Sequence, residues 1–258
     1  MYQLLSSISY DTSLLSLGWN NDHDTPSPFL QLPYHHDRLL DGAERHGWSV
    51  SLAFSELKEK CLQAVKATKA KDGLALKLRI TLSSTGELSI TTSPIPPLKL
   101  DPLSEAYFLP PPQDDANSDS FGVQNSGTIS LTLDTLPTPS SIFTSTKTTQ
   151  RPHYDAARAR AGLKSYTDPV DVILFNEQGL ITETSIANIA FYRSPYGWLT
   201  PAKETGCLEG IMRRKLLEER KIKEDREGTL KKENLKDREE VLVFNGVFGC
   251  QRARISLR

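Results

Sequence analysis

The sequence predicts a mixed α/β (α+β) fold in two domains. Three observations carry this expectation. Strand-like and helix-like periodicities alternate along both halves of the chain. A strongly polar stretch separates the halves. And 258 residues, enough for one large domain or two small ones, carry 38% hydrophobic side chains, enough for a real core. The domains are expected over residues 1–107 (small) and 128–258 (larger), joined by a polar linker at 108–127.

In the first half, Tyr2–Tyr10 is rich in Leu, Ile and Tyr and reads as a strand ended by Asp11. Asn20–Pro28 is a loop by composition and Phe29–Leu32 a short strand. Pro33 opens a helix that Gly47 closes. Leu39, Leu40 and Ala43 share one face of that helix, which leaves the opposite face for polar work. Ser55 is the expected N-cap of a second helix running to Lys71, with Leu57, Cys61, Leu62 and Val65 as its apolar stripe. Leu74–Leu82 and Glu87–Thr92 alternate as a hairpin around Ser84-Thr85-Gly86. Leu109–Ser126 then loses almost all apolar content and reads as a solvated connection rather than a substrate lid.

The second half opens with a strand at Thr128–Leu133, followed by a helix at Arg151–Ala161 and a strand at Asp171–Phe175. Glu177-Gln178-Gly179 turns that strand back into Leu180–Thr182, and Ile186–Tyr192 is another strand. Glu209–Arg220 is helical. Lys221–Glu240 mixes both signs of charge, which predicts a solvated, partly helical surface rather than a nucleic-acid patch. Val241–Phe244 and Arg254–Leu257 close the chain as strands.

The bulk charge narrows the function further. Lys plus Arg number 31 against 32 Asp plus Glu, a net charge of −1, so no overall field favours nucleic acid or an anionic membrane. No apolar run approaches a bilayer span and no basic segment precedes an apolar one near Met1, so a cytoplasmic location is expected. Cys61, Cys207 and Cys250 are isolated, and the five histidines lack zinc-like spacing. Neither a disulfide framework nor a metal site is expected.

The chemistry concentrates in three short segments. Lys147 lies in Ser145-Thr-Lys-Thr-Thr-Gln-Arg151, Glu183 in Ile181-Thr-Glu-Thr-Ser-Ile-Ala-Asn188, and Gly210 in Gly206-Cys-Leu-Glu-Gly-Ile-Met-Arg213 after Leu199-Thr-Pro201. Separately these are a surface lysine, an edge-strand glutamate and an ordinary helix start. Together they supply an amine for a Schiff base, a carboxylate for a pyridinium nitrogen and a helix N-terminus for a phosphate.

Lys147-Thr-Thr-Gln-Arg-Pro-His-Tyr-Asp-Ala-Ala-Arg158 resembles the Lys-Thr-Thr-Arg-Arg-x-x-Tyr-Asp-x-Ala-Arg pattern of class IV (fold type IV) aminotransferases, in their aminodeoxychorismate-lyase-like branch. The Glu183–Asn188 and Gly206–Arg213 segments match that family in the same order, and Arg38 in Tyr34-His-His-Asp-Arg-Leu-Leu resembles its His-x-x-Arg-Leu segment. The resemblance spans Leu4 to Ile255, interrupted by the polar loop. It implies pyridoxal 5′-phosphate as cofactor, with Lys147 as the catalytic Schiff-base lysine and Glu183 on the pyridine nitrogen. Arg38, with the backbone N–H groups of Ile211 and Met212, would hold the phosphate. Asn188, Arg213 and His35 are expected in structural roles.

Tyr154 is expected two helical turns along the same face from Lys147, on the substrate side, either packed near the ring or carrying a supporting hydrogen bond. In Phe244-Asn-Gly-Val-Phe-Gly, Asn245, Gly246 and Val247 would face a small-molecule substrate. Gly246 stands where the family commonly has serine, Phe248 where it has arginine, and Leu5-Ser6-Ser7 where it has Leu-Glu-Thr. The implied activity is conversion of 4-amino-4-deoxychorismate to 4-aminobenzoate and pyruvate on the folate route. A transaminase acting on D-amino acids, branched-chain amino acids or amines is the alternative on the same scaffold, and a cofactor-free binding protein is the third. The resemblance also implies a homodimer, with no nucleic-acid or membrane partner.

Overall fold

The computed structural model of the chain describes residues 1–68, 74–112 and 129–257. Its first half contains β1 (Leu4–Tyr10), a short hairpin of β2 (Asn21–Asp22) and β3 (Thr25–Pro26), helices α1 (Leu32–Arg45) and α2 (Phe54–Ala67), then β4 (Ala75–Leu82) and β5 (Leu88–Ile95). β1, β4 and β5 form an antiparallel three-stranded sheet. Its alternation is strict on β4: Leu76, Leu78, Ile80 and Leu82 face a core shared with Leu39, Leu57 and Cys61, while Lys77 and Arg79 take the opposite face.

The expected strand at Phe29–Leu32 does not form. Phe29 makes a single bridge to Tyr10, Gln31 takes a left-handed conformation, and Pro33 sets the first turn of α1. The second helix starts at Phe54 with Ala53 as N-cap, so Ser55 lies within its first turn, and the expected end at Lys71 falls outside the described residues. β5 runs on past Thr92 to Ile95 because every residue of β4 finds a partner across it.

The second half contains β6 (Ile129–Leu133), α3 (Ile142–Ser145), α4 (Pro152–Arg160), β7 (Val170–Phe175), β8 (Ile181–Thr184), β9 (Asn188–Arg193), β10 (Gly197–Pro201), α5 (Ile211–Glu218), β11 (Lys223–Asp225), β12 (Glu240–Asn245) and β13 (Gly249–Ile255). Its eight strands make one mixed sheet in the order β11-β10-β9-β12-β13-β6-β7-β8. The pairs β10–β11, β13–β6 and β6–β7 are parallel. Ile189, Phe191, Val241, Val243 and Ala253 form its main core. The fold is α/β, as the sequence predicted.

Two expectations need correction. Lys221–Glu240 is not partly α-helical: it contributes the edge strand β11 and one short 3-10 turn at Lys232–Asn234. The last strand begins at Gly249 rather than Arg254, because a tight hairpin pairs Asn245 with Gly249 and carries the register to Arg254 opposite Glu240. Most of the expected linker, and Thr128, lie outside the described residues. A further cluster draws on both halves: Leu14 and Leu30 are packed with Ala190, Met212 and Phe244.

Candidate active site

Lys147 is positioned by backbone, not by a helix. Ser141 caps the short α3: its hydroxyl accepts from the Phe143 N–H at 3.2 Å, and the Thr144 hydroxyl accepts from the Ser141 N–H at 3.0 Å. The chain then straightens alongside β1. Leu5 N–H donates to the Lys147 carbonyl at 2.8 Å and Thr149 N–H to the Gln3 carbonyl at 2.8 Å. α4 begins only at Pro152, so Tyr154 does not share a helical face with Lys147.

Tyr154 instead reaches the other catalytic candidate. Its hydroxyl donates to Glu183 Oε1 at 2.7 Å, and Leu208 N–H approaches the same oxygen at 3.3 Å. Glu183 lies within β8 and is buried. Burial pushes its carboxyl up to about 7, against the opposing pull of the Tyr154 hydrogen bond, the Lys147 amine and the Leu208 N–H. Burial also pushes the Lys147 amine well below the usual lysine range. The Arg151 and Arg38 guanidiniums add to that shift, while Glu183 opposes it. The pocket therefore drives Lys147 toward its neutral, nucleophilic form.

A buried network fixes the turn after Glu183. Arg158 donates to Asp171 Oδ1 at 3.3 Å and to Ser185 Oγ at 3.0 Å, and Ser185 Oγ donates to the same Asp171 oxygen at 2.5 Å. Arg151 donates to the Ser185 carbonyl at 2.9 Å, with its guanidinium 4.6 Å above the Tyr154 ring centre. Sequence reasoning overlooked Arg151 as a site cation, although the residue sits inside the quoted lysine motif.

Arg38 projects from α1 to the Ser6 hydroxyl and lies 3.4 Å from His35 Nδ1. No carboxylate pairs with it among the described residues, its Nε has no hydrogen-bond partner, and burial lowers it to about 9. The Ser6 hydroxyl accepts from Arg38 and is hydrogen-bonded to His35 Nδ1 at 2.7 Å. A guanidinium left this way is complementary to an anion.

Near Glu183, α5 starts with no side-chain cap, so the first-turn N–H groups of Ile211 and Met212 are left for a ligand. Asn188 packs against this start: its Nδ2 donates to the Leu208 carbonyl at 2.7 Å, and a Cβ at Gly210 would sit 2.0 Å from its Oδ1. Arg213 points away, pairing with Glu224 at 2.7 Å and the Pro201 carbonyl at 2.9 Å.

The 245–248 turn closes against β1. Ser9 N–H donates to the Gly246 carbonyl at 3.1 Å, and a Cβ at Gly246 would meet the His35 ring at 2.9 Å. A side chain at 246 is thus incompatible with the present position of His35. Asn245 spends its side chain on the turn itself, accepting from Val247 and Phe248 N–H and donating to the Ile186 carbonyl. Asn245 and Val247 therefore shape this turn. Among the described residues no group of three or more His, Cys, Asp or Glu could hold a metal ion, and no helix is long and apolar enough to cross a membrane.

Residues 22–255 match the family model for amino-transferase class IV. A Schizosaccharomyces pombe protein provisionally named aminodeoxychorismate lyase is 32% identical over 214 residues, covering 83% of this chain and 79% of that protein. The Saccharomyces cerevisiae aminodeoxychorismate lyase is 32% identical over 203 residues, covering 70% of this chain; the chain spans 52% of its length. Among solved structures, a Mesorhizobium loti protein provisionally named amino-acid aminotransferase superposes with a TM-score of 0.66 at 20% identity, over 99% of this chain and all of that one. A Legionella pneumophila structure provisionally named 4-amino-4-deoxychorismate lyase gives 0.65 at 16% identity, over 98% of this chain and 82% of that one. The chain belongs to the class IV aminotransferase family and is an enzyme of its lyase or aminotransferase type, on the fold type IV scaffold.

Proposed function

We propose that this enzyme uses pyridoxal 5′-phosphate to convert 4-amino-4-deoxychorismate to 4-aminobenzoate and pyruvate. The observation that carries the reading is that Lys147, its amine driven toward neutrality by burial and then by Arg151 and Arg38, acts on a buried Glu183 held by Tyr154. The two relatives at 32% identity support the lyase over a transaminase.

The residues present fit the cofactor. Arg38 offers a guanidinium with an unpartnered Nε, and α5 an uncapped N-terminus, which suits them to a phosphate. Glu183 is the carboxylate for the pyridine nitrogen, and Lys147 the amine for the aldehyde. When bound, the cofactor supplies an electron sink for the carbon beside the reacting nitrogen.

The chain's own groups do the rest. Tyr154 and the Leu208 N–H fix one Glu183 oxygen, so the carboxylate keeps one orientation. Lys147 would hold the cofactor through its amine and, once released, its Nζ would be the base for the proton on the ring carbon bearing the substrate amine. The C–O bond to the enolpyruvyl group breaks as the ring aromatises, and the departing enolpyruvate takes up a proton to become pyruvate. Arg158, Asp171 and Ser185 keep the Glu183 turn from shifting under the changing charge.

The same reading takes residues 1–107 and 128–258 as two domains, a division supported by their separate sheets. It takes the protein as a cytoplasmic homodimer acting on a small molecule. The test is an absorbance spectrum of the purified protein with pyridoxal 5′-phosphate, before and after borohydride. A visible band bleached by borohydride, with the reduced cofactor on Lys147 and no such band in Lys147→Ala, is the expected result. A band that survives in Lys147→Ala would overturn the assignment.

A further inference from the structure

Lys77 is a half-buried lysine with no acidic partner among the described residues, and its charge acts on Lys147. In the β1–β4 register it lies directly opposite Ser9, and Arg79 lies opposite Ser7. All four belong to the sheet face turned away from the apolar core of the first half. No carboxylate pairs with Lys77 or Arg79 among the described residues. The charges that act on Lys77 are cations, Arg79 and Arg151, and Lys77 in turn acts on Lys147.

Ser9 provides the second, independent observation. It is fully buried, yet its Oγ has no hydrogen-bond partner. Its backbone N–H holds the Gly246 carbonyl, so the pair Ser9–Lys77 is tied to the turn on the expected substrate side. A buried hydroxyl without a partner and a half-buried ammonium without a counter-ion are each costly in the absence of a ligand. An anionic oxygen would satisfy both.

Arg38 and the start of α5 already account for the cofactor phosphate, so a second anion belongs to the substrate. We propose that Lys77, assisted by the Ser9 hydroxyl, binds a carboxylate of a dianionic substrate and thereby sets the preference for two carboxylates over one. Arg79 and Arg151 flank this position and add to its field. The inference rests on the lyase reading, whose substrate carries a ring carboxylate and an enolpyruvyl carboxylate.

The test uses the holoenzyme and its variants Lys77→Gln, Lys77→Arg and Ser9→Ala. Calorimetry measures binding of chorismate, a dicarboxylate, and of 4-aminobenzoate, a monocarboxylate. Lys77→Gln is expected to weaken chorismate roughly tenfold to a hundredfold while changing 4-aminobenzoate far less, as removal of one charge-assisted hydrogen bond implies. The KM for 4-amino-4-deoxychorismate should rise by a similar factor with kcat nearly unchanged. Ser9→Ala should show the same pattern more weakly, and Lys77→Arg should restore binding; these two charge-conserving variants should keep the wild-type cofactor spectrum. Wild-type chorismate affinity and KM in Lys77→Gln would overturn the inference and leave the lyase reading standing. Loss of dicarboxylate preference in Lys77→Gln, in an enzyme whose wild type releases no 4-aminobenzoate, would support the carboxylate site and overturn the lyase reading.

Discussion

Glu183 shows how one carboxyl links stability to chemistry. In the cofactor-free protein it is raised to about 7 from an ordinary 4.5, so the folded state holds its proton more tightly than the unfolded chain. Its contribution is therefore fully present below about 4.5 and is lost as pH rises toward 7. Removing the Tyr154 hydroxyl deletes a hydrogen bond that lowers this value, so Tyr154→Phe should move the midpoint above that of the wild type. Infrared titration of the carboxyl band in cofactor-free protein checks this, and an unshifted midpoint would mean that the hydroxyl does not act on Glu183. Lys147 and Glu183 were legible in the sequence because each sits in a motif whose order is informative. The partnership of Tyr154 with Glu183 was not, since it joins an α4 residue to a β8 residue across 29 positions of chain. Local spacing carries no trace of such a contact.

The start of α5 and the tie from α4 to β7 are the elements on which the site depends. A Cβ at Gly210 would sit 2.0 Å from Asn188 Oδ1, so Gly210→Ala must displace the side chain that braces the Leu208 carbonyl. We expect a stability loss of about 1–3 kcal/mol, as for overpacking, together with weaker cofactor binding. Denaturant unfolding and a cofactor titration measure the two effects; wild-type values in both would remove Gly210 from the phosphate cradle. Arg158→Ala leaves Asp171 buried without its cation and should cost about 3–5 kcal/mol by denaturant unfolding. A loss below about 1 kcal/mol would show that Asp171 finds another partner or takes up a proton. The α5 start was readable from Gly210-Ile211. β13 was misplaced because Gln251, Arg252 and Arg254 interrupt its apolar residues, and only pairing with β12 reveals it. β10 and β11 were missed for a related reason: a five-residue and a three-residue strand gain their stability from neighbours rather than from their own composition.

At the scale of the whole molecule, the site is assembled from segments far apart in the chain. α1 brings Arg38, β1 flanks Lys147 and the Gly246 turn, and the large sheet carries Glu183 and leads into α5. The fold class was readable from alternating periodicities in the two halves of the chain. Their meeting through Leu14, Leu30, Met212 and Phe244 was not, because burial between distant segments leaves no periodic signature. We read this assembly as a lyase whose reactive group is Lys147. The most direct measurement incubates the purified protein, loaded with pyridoxal 5′-phosphate, with 4-amino-4-deoxychorismate and follows both products, alongside Lys147→Ala. Equal amounts of 4-aminobenzoate and pyruvate are expected from the wild type, and neither above background from the variant. No 4-aminobenzoate from the wild type, or equal rates in the two proteins, would contradict it.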